Sequence, residues 1–243
     1  MTEAIENAER RMEYVFKVQK LLAKAERAGT QEEADAFYAK ATELIAKWRI
    51  DDLELKNNGD EMTTVVMPLG TYSPVADVLA LQSVMKAFEV RVAFSAYRGS
   101  GTKPEAHLFG WSSDIAKAQL MWSSISVQLA GACRREEPKG LDRNQQRVWR
   151  QSFKRGYGDT IGKRLKTAMT TTVAEAVAKT PGVGLVLVSR QDQLEKFYGQ
   201  HTGRSRSHSM HTDHGAMQSG REAGHRADLG QARVSGRGKE LTR

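Results

Sequence analysis

Two runs of helical period, separated by one Gly-Thr pair, constrain the start of this chain more than any other feature. Val15, Val18, Leu22 and Ala25 recur at intervals of three and four, which makes one face of a helix apolar. Gly29 follows, and glycine adopts the left-handed conformation of a helix C-terminus at little cost. Thr30 stands three residues before Glu33, the spacing of a capping box, in which the hydroxyl takes the amide of the third residue and the carboxylate reaches back. Ala34, Phe37, Ala41, Leu44 and Trp48 then set out a second apolar face at the same intervals. Two amphipathic helices joined by so short a turn lie antiparallel. The expectation is a helical hairpin module over residues 1–56, packed through Val18, Leu22, Phe37, Ala41 and Leu44.

Beyond a polar Asn-Gly linker the pattern changes. "TTVVMPL" is β-branched and reads as a strand. Ser73 and Pro74 supply an N-cap and a first-turn proline to a helix carrying Val75, Val78, Leu79, Leu81, Val84, Met85 and Phe88. "VRVAFS" and "EAHLFG" flank a Gly-rich turn and read as a β-hairpin. Ser112 or Ser113 is placed to cap the next helix, with Asp114 at its positive end. Asp142 opens another helix, "PGVGLVLVS" reads as a last strand, and "DQLEKFYG" as a short helix. The expected fold class is α+β, with a small, mostly antiparallel sheet over 62–201 and helices packed on one side of it. Residues 202–243 are rich in Gly, Ser, Arg and His and nearly free of large apolar side chains. Such a segment buries too little surface to offset its ordering entropy, so a basic tail that is disordered or weakly helical is expected.

The formal charge is +8 and the sequence pI about 9.6. That balance points to anionic partners, of which nucleic acid, DNA or RNA, is the commonest and an anionic membrane face the rival. A single cysteine, Cys133, forms no internal disulfide and fits a reducing cytoplasm. "MTEAIENAERR" lacks the apolar region of a signal peptide, and the longest apolar run, Val183 to Val188, is far too short to span a bilayer. No membrane partner and no cofactor is expected.

The stretch "VWRQSFKRGYGDTIGKRL" carries the main candidate chemistry. On a helix, Arg143, Arg147, Arg150 and Lys154 form one cationic stripe, while Trp149 and Phe153 lie about a third of a turn away and face the core. Arg134, Arg135 and Lys139 precede the stripe, and Lys163, Arg164 and Lys166 follow it; Glu136, Glu137, Asp142 and Asp159 oppose them. A stripe of this kind can track a phosphate backbone, with arginine giving bidentate contacts, or it can be a plain solvated face. Gly156, Gly158 and Gly162 each weaken a helix, so close approach of another backbone is the expected reason for them. The tail arginines, Arg204, Arg206, Arg221, Arg226, Arg233, Arg237 and Arg243, offer further phosphate contacts.

Other donors are weaker candidates. His208, His211 and His214 cluster with Asp213, but in a Gly/Ser-rich segment where nothing holds ligands to one point, so no metal site is expected. His107, on a predicted strand, would need a carboxylate to orient it as a base. Cys133 has Arg134 and Arg135 beside it, which would lower its pKa, and it reads as a packing residue. No catalytic residue is assigned. The function expected is a non-enzymatic, nucleic-acid-associated protein; the alternatives are a metal-dependent hydrolase using histidines and a protein-interaction module built on the hairpin.

"VQKLLAKAERAGTQEEADAFYAKATELIAKWRID" resembles the motif of the domain of unknown function 2786 family, through Lys20, Leu21, Leu22, Ala25, Glu26, Thr30, Glu33, Ala34, Ala41, Leu44 and Ala46. Phe153 and Gly156 resemble the Phe-x-x-Gly segment of a companion domain downstream. The resemblance implies the hairpin boundaries and a bacterial or phage setting, with the host cytoplasm as location for a phage-encoded chain. It implies no activity and supplies no catalytic residues.

Overall fold

The computed structural model describes residues 2–54, 60–69, 74–95, 104–179, 182–203, 211–227 and 229. Two compact units are present, one containing the chain as far as Leu44, the other running from Ile45 to Ala227. The fold is mixed α+β and mostly helical.

The first unit holds α1 (Thr2–Glu26) and the first part of α2 (Gln31–Glu54), in contact as a helical hairpin. The expected cap forms at the turn, where Thr30 Oγ1 accepts from the amide of Glu33 at 3.2 Å. The glutamate reaches back to the amide of Gly29 at 3.4 Å, one residue earlier than a standard capping box. Val18, Leu22 and Ala41 are buried as the period requires. Phe37 and Leu44 are only half-buried, and the ammonium of Lys24 lies 5.3 Å from the centre of the Phe37 ring. The buried positions of α2 are Tyr38, Ala41, Thr42, Ile45, Ala46, Trp48 and Arg49, so Ala41 and Trp48 of the marked face are buried and the buried face extends beyond the one the apolar spacing marks.

In the second unit a three-stranded antiparallel sheet has the order β1-β3-β2, from β1 (Met62–Pro68), β2 (Arg91–Ser95) and β3 (Glu105–Trp111). Val65 and Val92 both stand opposite Leu108, so these three share one face, where Leu108 is fully buried. The helices α3 (Pro74–Ala87) and α4 (Ser112–Glu136) pack beside it. Alternation along β3 turns Phe109 and Trp111 to the other face. There α6 (Gly182–His201) covers them: Tyr198 meets Phe109 edge to face at 5.3 Å, and Arg190 lies 4.2 Å from the Trp111 ring. Helices therefore lie on both faces, not one.

This arrangement also corrects the expected last strand. "GVGLVLVS" is the first part of α6, not a strand. A short apolar run has no periodicity to separate strand from helix, and here it continues into a helical segment whose Leu194 is buried.

The longest element, α5 (Arg143–Lys179), spans about 55 Å at ~1.5 Å per residue. Trp149, Phe153, Tyr157, Ile161, Leu165 and Met169 recur every fourth residue along it and are all buried, as expected for the two aromatics named from sequence. The glycines serve close packing on two sides. A methyl at Gly158 would lie 2.5 Å from Cα of Ala80 in α3, and Gly162 faces the Ser83 carbonyl. A methyl at Gly156 would overlap the carbonyl oxygen of Met217 in α7 (His214–Arg226).

That helix corrects the reading of the tail, at least over 214–226. Asp213 caps α7 by accepting from the amide of Ala216 at 2.9 Å, and Ala216, Gly220, Ala223 and Gly224 are buried. A methyl at Gly220 would overlap the carbonyl oxygen of Phe153. The absence of large side chains is what lets this helix dock, because backbone-to-backbone contact needs small residues. The Asn-Gly linker over 55–59, Ser73, the loop of the β2–β3 hairpin and the tail arginines Arg204, Arg206, Arg233, Arg237 and Arg243 lie outside the described residues.

Candidate functional site

The cationic stripe divides in two. Arg143 and Arg147 are exposed near the start of α5. Arg150 is drawn into a bidentate pair with Glu137, at 2.7 and 2.9 Å, and Lys154 is paired with Asp77 of α3. Arg164 donates to the carbonyl of Gly224 at 2.7 Å and to that of Ala227, and so satisfies the C-terminal end of α7. Arg134, Arg135 and Lys139 are exposed at the end of α4 and in the following turn, and Lys163 is exposed on α5.

The acidic residues of the same stretch all have partners within the chain. Glu136 is paired with Arg226 of α7, and Glu137 with Arg150. Asp142 accepts from the amides of Asn144 and Gln145, both at 2.8 Å, and Gln145 Oε1 accepts in return from the Asp142 amide at 3.0 Å, a second capping box. Asp159 accepts from the Ser83 hydroxyl at 2.8 Å. What remains at the corner where α4 gives way to α5 is a cluster of five exposed cations, Arg134, Arg135, Lys139, Arg143 and Arg147. Among the described residues, none of the five is ion-paired.

Beside this corner lies an open groove of about 460 Å³. Its walls come from the first turns of α5 (Leu141, Asn144, Gln145, Arg147, Val148) and from the segment 211–213 that leads into α7. Ser152 of α5 anchors that segment, its hydroxyl accepting from the Asp213 amide at 2.9 Å.

A buried ion network was not anticipated. The Arg190 guanidinium bridges Asp60, at 2.8 Å, and Asp114, at 2.9 Å. Arg49 Nε stands 3.4 Å from Asp114, and Lys117, whose ammonium lies 4.8 Å from the centre of the Trp48 ring, stands 3.9 Å from it. Asp114 and Lys117 are each 1% exposed. Asp60 also caps α4 from outside, accepting from the Ser113 amide and from both serine hydroxyls. The serines expected to cap α4 thus act as donors to a distant carboxylate. Burial works against ionisation of Asp60, but the Ser113 amide and Arg190 outweigh it and hold the carboxyl below the ordinary aspartate range. The signal for this network was slight: Asp60 sits in what reads as a linker, and Arg190 follows a run that reads as a strand.

His107 faces Val66 and Ala93 across the sheet, and Asp114 is committed to the network instead of orienting it. His211 and His214 are exposed, and His208 lies outside the described residues. Among the described residues, no three His, Cys, Asp or Glu side chains stand together as a metal site. Burial pushes the Cys133 thiol up to about 11, overriding the nearby positive Lys154, so the lowering expected from Arg134 and Arg135 does not occur. Iodoacetamide at neutral pH is expected to label Cys133 only after denaturation; labelling of the folded chain at the rate of a free thiol would contradict this burial.

Residues 15–52 match the model of a family described as Protein of unknown function (DUF2786). The matched span runs from the second half of α1 almost to the end of α2 and includes Trp48 and Arg49, which reach the buried ion network. No curated protein and no solved structure matches the chain. No helix among the described residues is long and apolar enough to cross a membrane.

Proposed function

We propose that this protein is a non-enzymatic nucleic-acid-binding protein that holds phosphates through the corner formed by Arg134, Arg135, Lys139, Arg143 and Arg147. The observation that carries the reading is the fate of the acids: Glu136 and Glu137 are paired with Arg226 and Arg150, and Asp142 and Asp159 accept hydrogen bonds from the chain, so none of the four is ion-paired with the five cations of the corner. Arginines at such a surface give bidentate contacts to phosphate oxygens, and each neutralised phosphate releases condensed counterion. Arg150, Lys154 and Arg164 leave the proposed contact set, because their charges already serve Glu137, Asp77 and the end of α7. Lys163 stays as an outlying contact further along α5. A bacterial or phage setting, with a cytoplasmic location, is part of the same proposal and is supported by the resemblance of the hairpin to its family.

Binding to duplex DNA is expected to weaken steeply with salt, with a log–log slope of about −0.9 per phosphate contacted. Reversing Arg143 and Arg147 to glutamate should weaken binding to every sequence alike and flatten that slope. Reversing Arg150 or Lys154 should instead lower stability, since each breaks a partly buried pair. Binding that survives Arg143→Glu with Arg147→Glu at an unchanged slope would remove the corner from the function. A second reading, a protein partner on the hairpin, is favoured by Met12 and Phe16, which lie exposed one turn apart on α1. It becomes the leading reading if the full chain binds no nucleic acid.

A further inference from the structure

We infer that the outer edge of β1 pairs with β1 of a second copy of this chain, antiparallel and about a two-fold axis at Val65, so that two three-stranded sheets continue into one. Hydrogen bonds at the two ends of the strand fix which way its backbone faces. The Leu69 amide donates to the Pro104 carbonyl at 3.0 Å, and the Ser112 amide donates to the Glu61 carbonyl at 2.9 Å. Both contacts continue the β1–β3 register. Bonded pairs alternate with unbonded ones in an antiparallel ladder, so Thr63, Val65 and Met67 bond to β3. Met62, Thr64, Val66 and Pro68 turn their backbone groups the other way. β1 is an end strand of the sheet, and among the described residues no strand pairs with that outer edge. It presents the amides of Met62, Thr64 and Val66, since proline has none to give.

The side chains agree with an edge left open. Leu108 on the central strand is fully buried, yet Val65 opposite it is only half-buried, and Val66 is 50% exposed. Edge strands of monomeric proteins are commonly guarded by charge. The other edge strand, β2, carries Arg91, paired with Glu195 of α6. β1 reads MTTVVMP and carries no charged residue, in a chain of which 27% is charged. Self-complementarity singles out a second copy as the occupant. About an axis at Val65, Thr64 stands opposite Val66, and Met62 opposite Pro68, of the other copy. Every outward amide of the strand then meets a carbonyl, and Pro68 falls at the end place where only its carbonyl is needed. The neutral strands bring no like charges together, and the axis keeps Glu61 far from its own counterpart. A seam of one seven-residue strand lies at the small end of interface sizes, below about 1,200 Å², so the dimer is weak and depends on concentration.

The test is sedimentation velocity of the full chain across the micromolar range, in salt that screens its net charge. The mass should move from 27.0 kDa toward twice that value as concentration rises. Val66→Lys puts a charge on the exposed side of the edge and should hold the chain monomeric with its circular dichroism unchanged. Thr64→Pro removes an outward amide, keeps the bonds to β3, and should do the same. Val65→Cys sets two thiols face to face at the axis, in an unbonded pair whose Cα atoms stand about 4.5 Å apart, and should give a disulfide-linked dimer under mild oxidation. Met67→Cys, opposite Thr63 of the other copy, should not. A monomer at every concentration would overturn the inference. Slow amide exchange at Thr64 and Val66 would then mean that another segment of the same chain covers the edge, and fast exchange would leave it to a different partner. Dimerisation that survives both Val66→Lys and Thr64→Pro would place the contact elsewhere, and equal cross-linking through Met67→Cys would reject the two-fold pairing. None of these readouts involves nucleic acid, so their outcome stands apart from the binding proposed above.

Discussion

Replacing Asp114 with asparagine is expected to lower the free energy of unfolding by about 3–5 kcal/mol, because it leaves buried cations short of a counter-charge. In the native chain Asp114 faces Arg190, Arg49 and Lys117 at once, and Asp60 is paired with Arg190 as a second carboxylate of the network. Asparagine keeps the volume and one acceptor oxygen but removes the charge. Arg190 would keep Asp60, while Arg49 and Lys117 would lose the charge of Asp114 at a buried position. Arg49→Met serves as the contrast. It takes away one cation but leaves Asp114 bonded to Arg190 and fills the space of the arginine stem, so its cost should be less than half as large. Urea denaturation of the two variants measures the difference. Equal losses, or a smaller loss for Asp114→Asn, would mean that packing around the network matters and its charge balance does not. The network joins α2, the segment before β1, α4 and α6, and its requirement for matched charges specifies how these elements meet.

Alanine at Gly220, or at Gly156, is expected to destabilise the protein, although alanine is the better helix former by about 1 kcal/mol. At each position the added methyl would overlap a carbonyl oxygen of the facing helix, Phe153 in one case and Met217 in the other. Backbone atoms cannot rotate away as side chains do, so α7 must shift or detach. An overpacking cost of about 1–3 kcal/mol should outweigh the propensity gain. Faster amide exchange confined to α7 and the facing turns of α5 should accompany it. Gly199→Ala is the control: it lies in α6 with nothing within 4 Å of the added methyl, and should stabilise by about 1 kcal/mol. If Gly220→Ala also stabilised, the close α5–α7 contact would not exist in solution.

Much of the local structure could be read directly. The caps at Thr30 and Asp142, the strands β1, β2 and β3, and the inward aromatics of α5 all follow from short-range rules, since each depends on residues within one or two turns. The glycine reading was right in kind and incomplete in reach. Gly156, Gly158 and Gly162 signalled close approach, but nothing in their spacing showed that α3 would take one side and α7 the other. The candidate binding surface was legible only as a region. Arg143, Arg147, Arg150 and Lys154 are equivalent on a helical wheel, and they became unequal when Glu137 and Asp77 arrived from elsewhere in the chain to claim two of them.

The sequence by itself determined the helical hairpin, the strands β1, β2 and β3, the starts of α3 and α5 with the inward aromatics of α5, and the excess positive charge around α4 and α5. Those properties are local or additive, so they survive without knowledge of distant partners. The tertiary structure alone decided which charges stay free, which become buried pairs, and whether a glycine-rich segment docks. Each of those outcomes depends on what faces a residue across the fold: Asp60 meets Arg190 from 130 positions away, and Gly220 meets a carbonyl of Phe153. Pairing and close packing at such separations leave no periodic trace in a single sequence, because neither partner needs to differ from an ordinary surface residue until the other is placed against it.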